Sequence, residues 1–372
     1  MNDISIIGAG IGGLSLGNIL QQRQYDFTIY EGAPEIKPVG AGIMMAVNAM
    51  QIFDQLGLKE KIENAGNKVH GISITDESLK PITKTSILAL EKKYNSCNVA
   101  IHRAGLQKIL AENIGFEHIK LNHSLSKVEK NENYSLHFEN GTQAESKIVF
   151  GADGIKSKVR DQILKTTTIR NAGQKCWRGL VELDLPEKFN HEAIEMWGKG
   201  KRFGFVKISE KKVYWYALVN ERKHKRYFSL SEIFSEFHPL AVRILEATSE
   251  ENIILNDITD LSPIPSWYSE NLCLIGDAAH ATTPNMGQGA CQSIEDAYII
   301  GRLLENNQDF NAVFEEFQKI RRKKVDYIVN TSWKIGKISQ WESGNTLRNF
   351  FMRLIPENTN QKLAEKIIRL EM

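Results

Sequence analysis

The sequence predicts an α/β fold: a Rossmann-like dinucleotide-binding domain, an inserted and mostly antiparallel β-sheet domain, and helices at the C-terminal end. Three observations predict it. A glycine-patterned strand, turn, helix and strand open the 372-residue chain, the strand-to-helix shape recurs at four later places, and residues about 170–262 alternate β-formers with turn residues.

The opening unit is "DISIIGAGIGGLSLGNILQQRQYDFTIYEG". Gly8, Gly10 and Gly13 stand in GxGxxG spacing: Gly8 for the tight turn, Gly10 for approach of backbone to a pyrophosphate, Gly13 for close helix-to-strand packing. The helix start then offers unpaired N–H groups and a positive dipole end to phosphates. Glu31 closes the second strand, where a carboxylate accepts hydrogen bonds from a ribose diol and favours an adenosine without a 2′-phosphate. The fingerprint does not separate FAD from NAD, since both carry ADP.

The later strand-to-helix segments follow in order. "EIKPVGAGIMMAVNAMQIFDQLGL" (35–58) puts Gly40, Ala41 and Gly42 ahead of a helix from about Asn48 to Leu56. "NVAIHRAGLQKILAEN" (98–113) puts Arg103 at a strand–helix junction, and "KIVFGADGIKSKVR" (147–160) puts Asp153 after a strand, with Ser157 and Arg160 at the next helix start. In "NLCLIGDAAHATTPNMGQGACQSIEDAYIIGRLLE" an apolar strand meets Asp277, then a turn from Pro284 through Gly287, Gln288 and Gly289, then a helix. Side chains at such strand ends line the crevice where open α/β sheets bind ligands. In the middle region Arg202 follows a glycine turn and Tyr214 lies on the next strand, so both are placed to face one pocket, while Trp215 is expected to pack inside the sheet.

Composition narrows the class. Lys and Arg number 47 against 45 Asp and Glu, and a net charge of +2 gives no global reason to expect nucleic acid or an anionic membrane as partner. The basic runs "ERKHKRY" (221–227) and "KIRRKK" (319–324) read as solvated faces. Cys97, Cys176, Cys273 and Cys291 lie far apart without CxxC pairing, which argues against a metal site or disulfide framework and fits a reducing cytoplasm. The first twenty residues lack the basic start of a signal peptide, and no run of eighteen apolar residues predicts a membrane span. The amphipathic tail 345–372 is expected to cover its own chain.

GxGxxG, "GADGIKSKVR" and "GDAAHATTPNMGQG", in that order over about residues 1–340, resemble the signature of single-component FAD-dependent aromatic hydroxylases, the para-hydroxybenzoate hydroxylase group. The resemblance implies an FAD-binding domain built from residues 1–69, 98–169 and 263–340. A β-sheet substrate domain takes 70–97 and 170–262, and a helical tail takes 341–372. It also implies FAD contacts for Gly42, Arg103, Asp153 and Asp277, with the Pro284–Gly289 turn beside the isoalloxazine ring. Asp153 matches an aspartate serving both FAD and the nicotinamide donor, and His280 takes a structural role. "YE...EIKPVGA", "GKR" and "TTP..GQG" are shared with bacterial FAD-dependent urate hydroxylases, whose substrate-orienting arginine and tyrosine fall on Arg202 and Tyr214. Their aspartate after the loop proline falls on Asn285, which cannot act as a carboxylate, so urate chemistry is weakened; Val47 departs from a common proline.

The implied activity is that of an FAD monooxygenase. NADH or NADPH reduces FAD, molecular oxygen adds, and a flavin hydroperoxide delivers hydroxyl to a small aromatic or heteroaromatic substrate, with protein groups supplying orientation and water exclusion. No second GxGxxG is present, which fits a nicotinamide donor that visits the shared cleft. Two further readings stay open: an epoxidase or antibiotic-inactivating hydroxylase of a larger apolar molecule, and an FAD-binding redox sensor with little turnover. The chain leans towards a monomer.

Overall fold

The computed structural model describes residues 2–36, 41–221 and 229–371; most of the basic run 221–227 and part of the 35–41 stretch lie outside the described residues. From the N-terminal end the elements are β1 (Asn2–Ile7), α1 (Ile11–Gln22), β2 (Phe27–Tyr30), β3 (Gly42–Met45), α2 (Val47–Gln55), α3 (Lys59–Ala65), β4 (Asn67–Val69), β5 (Gly71–Asp76), β6 (Pro81–Ser86), α4 (Leu88–Tyr94), β7 (Asn98–His102) and α5 (Arg103–Ile114). There follow β8 (Ile119–Lys120), β9 (Leu125–Lys130), β10 (Tyr134–Phe138), β11 (Gln143–Gly151), β12 (Ile169–Glu182), β13 (Glu192–Trp197), β14 (Lys201–Lys207), β15 (Lys212–Asn220), α6 (Leu230–Ile233), α7 (Pro239–Glu246) and β16 (Ile253–Leu261). The chain continues through β17 (Tyr268–Ser269), β18 (Leu272–Leu274), α8 (Asp277–His280), α9 (Gly289–Leu304), α10 (Phe310–Ser339), α11 (Asn345–Arg353) and α12 (Glu357–Ile368).

The first sheet runs β17-β18-β11-β1-β2-β8, with β10 and β9 added to β11. Its central strands β18, β11, β1, β2 and β8 pair in parallel. They are short runs of Ile, Val, Leu and Phe buried on both faces, as a sheet covered by helices requires: Ile4, Ile6, Phe27, Ile29, Val149, Phe150, Leu272 and Leu274 are all buried. The parallel C-terminal ends bring Gly8, Asp153 and Asp277 to one rim.

The second sheet runs β16-β12-β15-β14-β13-β5-β6 and is antiparallel except where β13 meets β5. Alternation gives its two faces different chemistry. Trp177, Phe203, Phe205, Trp215, Ala217 and Val219 point into an apolar core closed by Phe234, Phe237 and Ile244. Trp215 stacks on Phe203 and donates Nε1–H to Thr248 at 2.9 Å. The register pairs Arg202, Gly204 and Val206 with Leu218, Tyr216 and Tyr214, so these side chains share the opposite face. A third, small sheet runs β3-β7-β4.

Four local expectations change. Gly42 opens a strand before the helix rather than leading straight into it. The helix after Asp153 is a short stretch ending in a π turn, Arg160–Leu164. In the 319–324 run the expected solvated face is wrong for two residues: Arg321 is fully buried and Lys324 nearly so. Helical spacing turns both onto α9, where Glu295 and Asp296 neutralise them. The tail covers the chain only in part. Its α12 half packs Ile368 beside Val47 and Leu90, whereas α11 leaves Leu347, Phe350, Phe351 and Leu354 in solvent. No described helix is long and apolar enough to cross a membrane.

Candidate cofactor and substrate cleft

The β1–α1 turn makes the floor. Gly8 has φ +106, and a Cβ there would lie 2.5 Å from the carbonyl oxygen of Ala152, so only glycine fits. At Gly13 a Cβ would collide with the Gly8 carbonyl, whereas one at Gly10 would meet nothing within 4 Å and would project into open space. The first N–H groups of α1 have no side-chain cap. Glu31 accepts the Ala9 N–H at 2.7 Å and the Ala33 N–H at 2.9 Å, which fixes its carboxylate at the end of β2.

Two further carboxylates lie on the rim. Asp153 accepts the Val159 N–H through Oδ2 at 3.2 Å, while Oδ1 is buried without a partner. Burial pushes its pKa up, against the pull of Ser157 and backbone N–H groups. Asp277 starts α8; its carboxyl is open to water on the cleft side but walled by protein, and this crowding raises its pKa despite the charges of His280 and Arg103. Arg103 is exposed, its backbone N–H bonded to Ala41 at 3.2 Å, and its charge is felt by both Asp277 and Tyr214. Gly289 brings backbone close to Asp277: a Cβ there would stand 3.9 Å from Oδ1.

The loop 283–288 is held from behind. Asn285 donates Nδ2–H to Thr283 Oγ1 at 2.9 Å and to the Ser332 carbonyl at 2.8 Å, and its Oδ1 accepts from Arg202 at 2.7 Å. Gly287 turns the chain with φ +61. Gln288 is buried and accepts from Asn48 and Gln292, and α9 begins with no side-chain cap. Its N–H groups therefore face the cleft with the positive end of a 16-residue helix.

Arg202 is only 2 % exposed. It gives Nη1–H to Glu195 at 2.9 Å and leaves Nε without a partner. Glu195 also accepts from Trp197 Nε1 at 2.7 Å and Tyr216 OH at 2.6 Å, so the Arg202 charge is neutralised inside the sheet and its guanidinium grips the loop. Tyr214 packs flat on Gly42, where a Cβ would stand 2.5 Å from the Tyr214 Cβ; Met44, Leu180 and Val206 gather around it. Burial raises the pKa values of both Tyr214 and Tyr216.

The structure thus brings Arg202 to Asn285 and sets Tyr214 against Gly42, with Arg103 and Asp277 at the same rim. Sequence reading missed two things. Arg178 lies beside Tyr216 on the cleft-facing side of β12, half-buried, in contact with the Cys176 thiol and near Tyr214, with no carboxylate partner among the described residues. The β-alternation that points Tyr214 inward also points Arg178 inward, which is the signal that finds it. Glu195, the counter-charge of Arg202, was readable from no local pattern.

The cavity of about 420 Å³ lined by Trp177, Leu230, Leu245, Ile253 and Leu255 is on the far face of this sheet and is separate from the cleft. No cluster of metal-ligating side chains is present among the described residues.

The residues fit FAD. Two uncapped helix starts and the glycine cradle at Gly8 and Gly13 suit the anionic pyrophosphate of a dinucleotide, and the unpaired Asp153 Oδ1 suits one of the cofactor's hydroxyl or N–H donors.

Residues 1–318 match the protein family described as "FAD binding domain". "Aurachin C monooxygenase/isomerase" of Stigmatella aurantiaca is 33% identical over 347 residues, covering 91% of this chain and 90% of that one. "2-heptyl-3-hydroxy-4(1H)-quinolone synthase" of Pseudomonas aeruginosa is 30% identical, covering 98% and 97%. The crystal structure of Klebsiella pneumoniae HpxO complexed with FAD and uric acid superposes with a TM-score of 0.89 at 25% identity, covering 98% and 96%.

Proposed function

The chain belongs to the FAD binding domain family and is an FAD-dependent monooxygenase; from that premise we propose that it hydroxylates an electron-rich heteroaromatic carrying an oxygen substituent and an apolar substituent on the ring, with NADH or NADPH as reductant. The carrying observation is Asn285. Its amide is fully bonded to Arg202, Thr283 and Ser332, so the loop offers no carboxylate to take a proton from an acidic purine. The relative named as a 2-heptyl-3-hydroxy-4(1H)-quinolone synthase favours this ring class.

Gly8, Gly10, Gly13 and the α1 start would hold the pyrophosphate, Glu31 the ribose, and Arg103, Asp153 and Asp277 the middle of the cofactor. Gln288, Gly289 and the α9 start would meet its ring. Bound FAD supplies the electron transfer and oxygen activation that no side chain provides. Arg178 donates hydrogen bonds to the oxygen carried on the substrate's ring and so fixes the position and orientation of the ring for hydroxylation. Tyr214 sets the ring plane, Leu180, Val206 and Met44 exclude water, and Arg202 acts one step back by fixing Asn285 and with it the loop.

The test is anaerobic reduction of the yellow protein by NADH and NADPH, alone and with a 2-alkyl-4(1H)-quinolone, urate, salicylate, hydroxybenzoates and a tetracycline. Acceleration and hydroxylated product with the quinolone alone support the reading. Acceleration by urate instead refutes it, and one slow rate whatever is added favours a redox sensor.

A further inference from the structure

Helix α11 is inside out. Its inward positions are Asn345, Arg348 and Asn349, each under 9 % exposed, while Leu347, Phe350, Phe351 and Leu354, spaced 3, 1 and 3 residues apart on one helical face, are 55–62 % exposed. The arrangement is enforced. Arg348 Nη1 donates to the carbonyls of Ser339 at 2.9 Å and Ile338 at 3.3 Å, its Nε donates to Asn349 at 3.0 Å, and its guanidinium lies 5.0 Å from the Trp197 ring. Rotating α11 to hide its phenylalanines would strip these bonds from the last turn of α10. Ile338 and Trp341, at that same end of α10, are also exposed, as is Ile355 just past α11.

Water is a poor neighbour for so many large apolar groups together. We propose that this end of the molecule docks on a lipid bilayer carrying anionic headgroups, with α11 lying in the interface. The charges around the patch select that occupant. Between residues 334 and 357 the carboxylates are Glu342, bonded to Asn220 at 2.7 Å, and Glu357, which accepts the Ser86 N–H. The cations Lys334 and Lys337 are exposed; Lys334 has no partner among the described residues, and Lys337 has only the Trp333 ring. With Arg348, and with Arg353, which meets Asp76 at 3.4 Å, the cations of this segment outnumber its two carboxylates; a two-fold dimer through this face would set Lys334 and Lys337 against the same excess, with only Glu342 and Glu357 to offset it, whereas anionic headgroups neutralise them and the acyl region takes the phenylalanines. Net charge at the level of the whole chain, +2, conceals this local asymmetry.

The experiment is flotation of the FAD-loaded full chain with phosphatidylcholine vesicles, with and without phosphatidylglycerol. The expected result is co-flotation that grows with phosphatidylglycerol. Phe350→Ser with Phe351→Ser should weaken it about tenfold or more on both vesicle types. Lys334→Gln with Lys337→Gln should weaken it on anionic vesicles only, by about tenfold or more. Flavin retention and circular dichroism report whether each variant folds, and Leu347→Gln with Leu354→Gln replaces the phenylalanine pair if it does not. A wild-type chain that stays with the unfloated protein overturns the proposal. So does a wild type that floats no better than the variants, or a dimer in light scattering that Phe350→Ser and Phe351→Ser dissolve.

Discussion

Replacing Arg321 by Met tests the buried charge network behind the cofactor loop. Arg321 donates to Asp296 at 2.9 Å, Glu295 at 2.7 Å, the Gln292 side chain at 2.7 Å and, more weakly, Glu371 at 3.3 Å. Methionine keeps most of the volume and removes all of these donors. Asp296 would retain His280 at 2.6 Å and the Gly276 N–H at 2.9 Å; Glu295 would retain Lys324 at 2.8 Å and Asn48 at 2.5 Å. Two carboxylates with almost no exposure would then share too little positive charge, a defect that costs about 3–5 kcal/mol in comparable buried pairs. The damage should also reach the cleft, because Asp296 fixes Gly276 beside Asp277, and Glu295 shares Asn48 with Gln288. The assay is urea unfolding at a fixed FAD concentration, with FAD affinity measured separately and each variant's ligand contribution, RT ln(1 + [FAD]/Kd), subtracted from the stability. A destabilisation under about 1 kcal/mol with FAD affinity intact would refute the reasoning. A double-mutant cycle with Asp296→Asn should show coupling, the second substitution costing less once the first is made.

Gly8→Ala should cost about 1–3 kcal/mol and release FAD, since φ +106 and the Ala152 carbonyl both oppose a Cβ; flavin absorbance and thermal unfolding read both effects. Asp153→Asn keeps the bond to the Val159 N–H and removes a desolvated charge, so stability should hold or rise while the rate of flavin reduction falls; lost stability with a normal rate would make Asp153 a mere helix cap. Arg178→Gln should raise KM for the ring substrate about tenfold or more without lowering the melting temperature, because no carboxylate partner among the described residues is orphaned. Burial pushes the Asp296 pKa up, but His280 and Arg321 outweigh it and hold the carboxyl below its usual value. A depressed pKa stabilises the fold above the unfolded carboxylate value and is lost as pH falls through the folded one, so acid unfolding should set in below about pH 4, and less steeply in Asp296→Asn. All four thiols are buried, with Cys97 pushed up to about 11 and Cys291 to about 12, so a thiol reagent at pH 8 should modify them only after urea is added.

The glycine turn, the closing carboxylate and the polar loop of the cleft were legible because their signals are local. A glycine that needs positive φ, a carboxylate closing a short β-branched run and a polar turn between an apolar strand and a helix are decided within a few residues, and Gly8, Glu31 and the 283–289 loop stand where such chemistry puts them. Strand alternation also separated the packed Trp215 from the cleft-facing Tyr214.

What the sequence could not decide rests on partners far apart in the chain. Arg202 reads as a free cation until Glu195 and Asn285, 7 and 83 residues away, are seen to bind it. Arg321 sits in a run that reads as solvated until α9 brings Glu295 and Asp296 against it, because helical spacing names a face but not what that face meets. The amphipathic pattern of the tail led to the expectation that its apolar side covers the chain, and for Leu347, Phe350, Phe351 and Leu354 that expectation fails. Only the bonds of Arg348 to the end of α10 turned these residues outward, since a periodic pattern has no sign until tertiary contacts choose which side is buried.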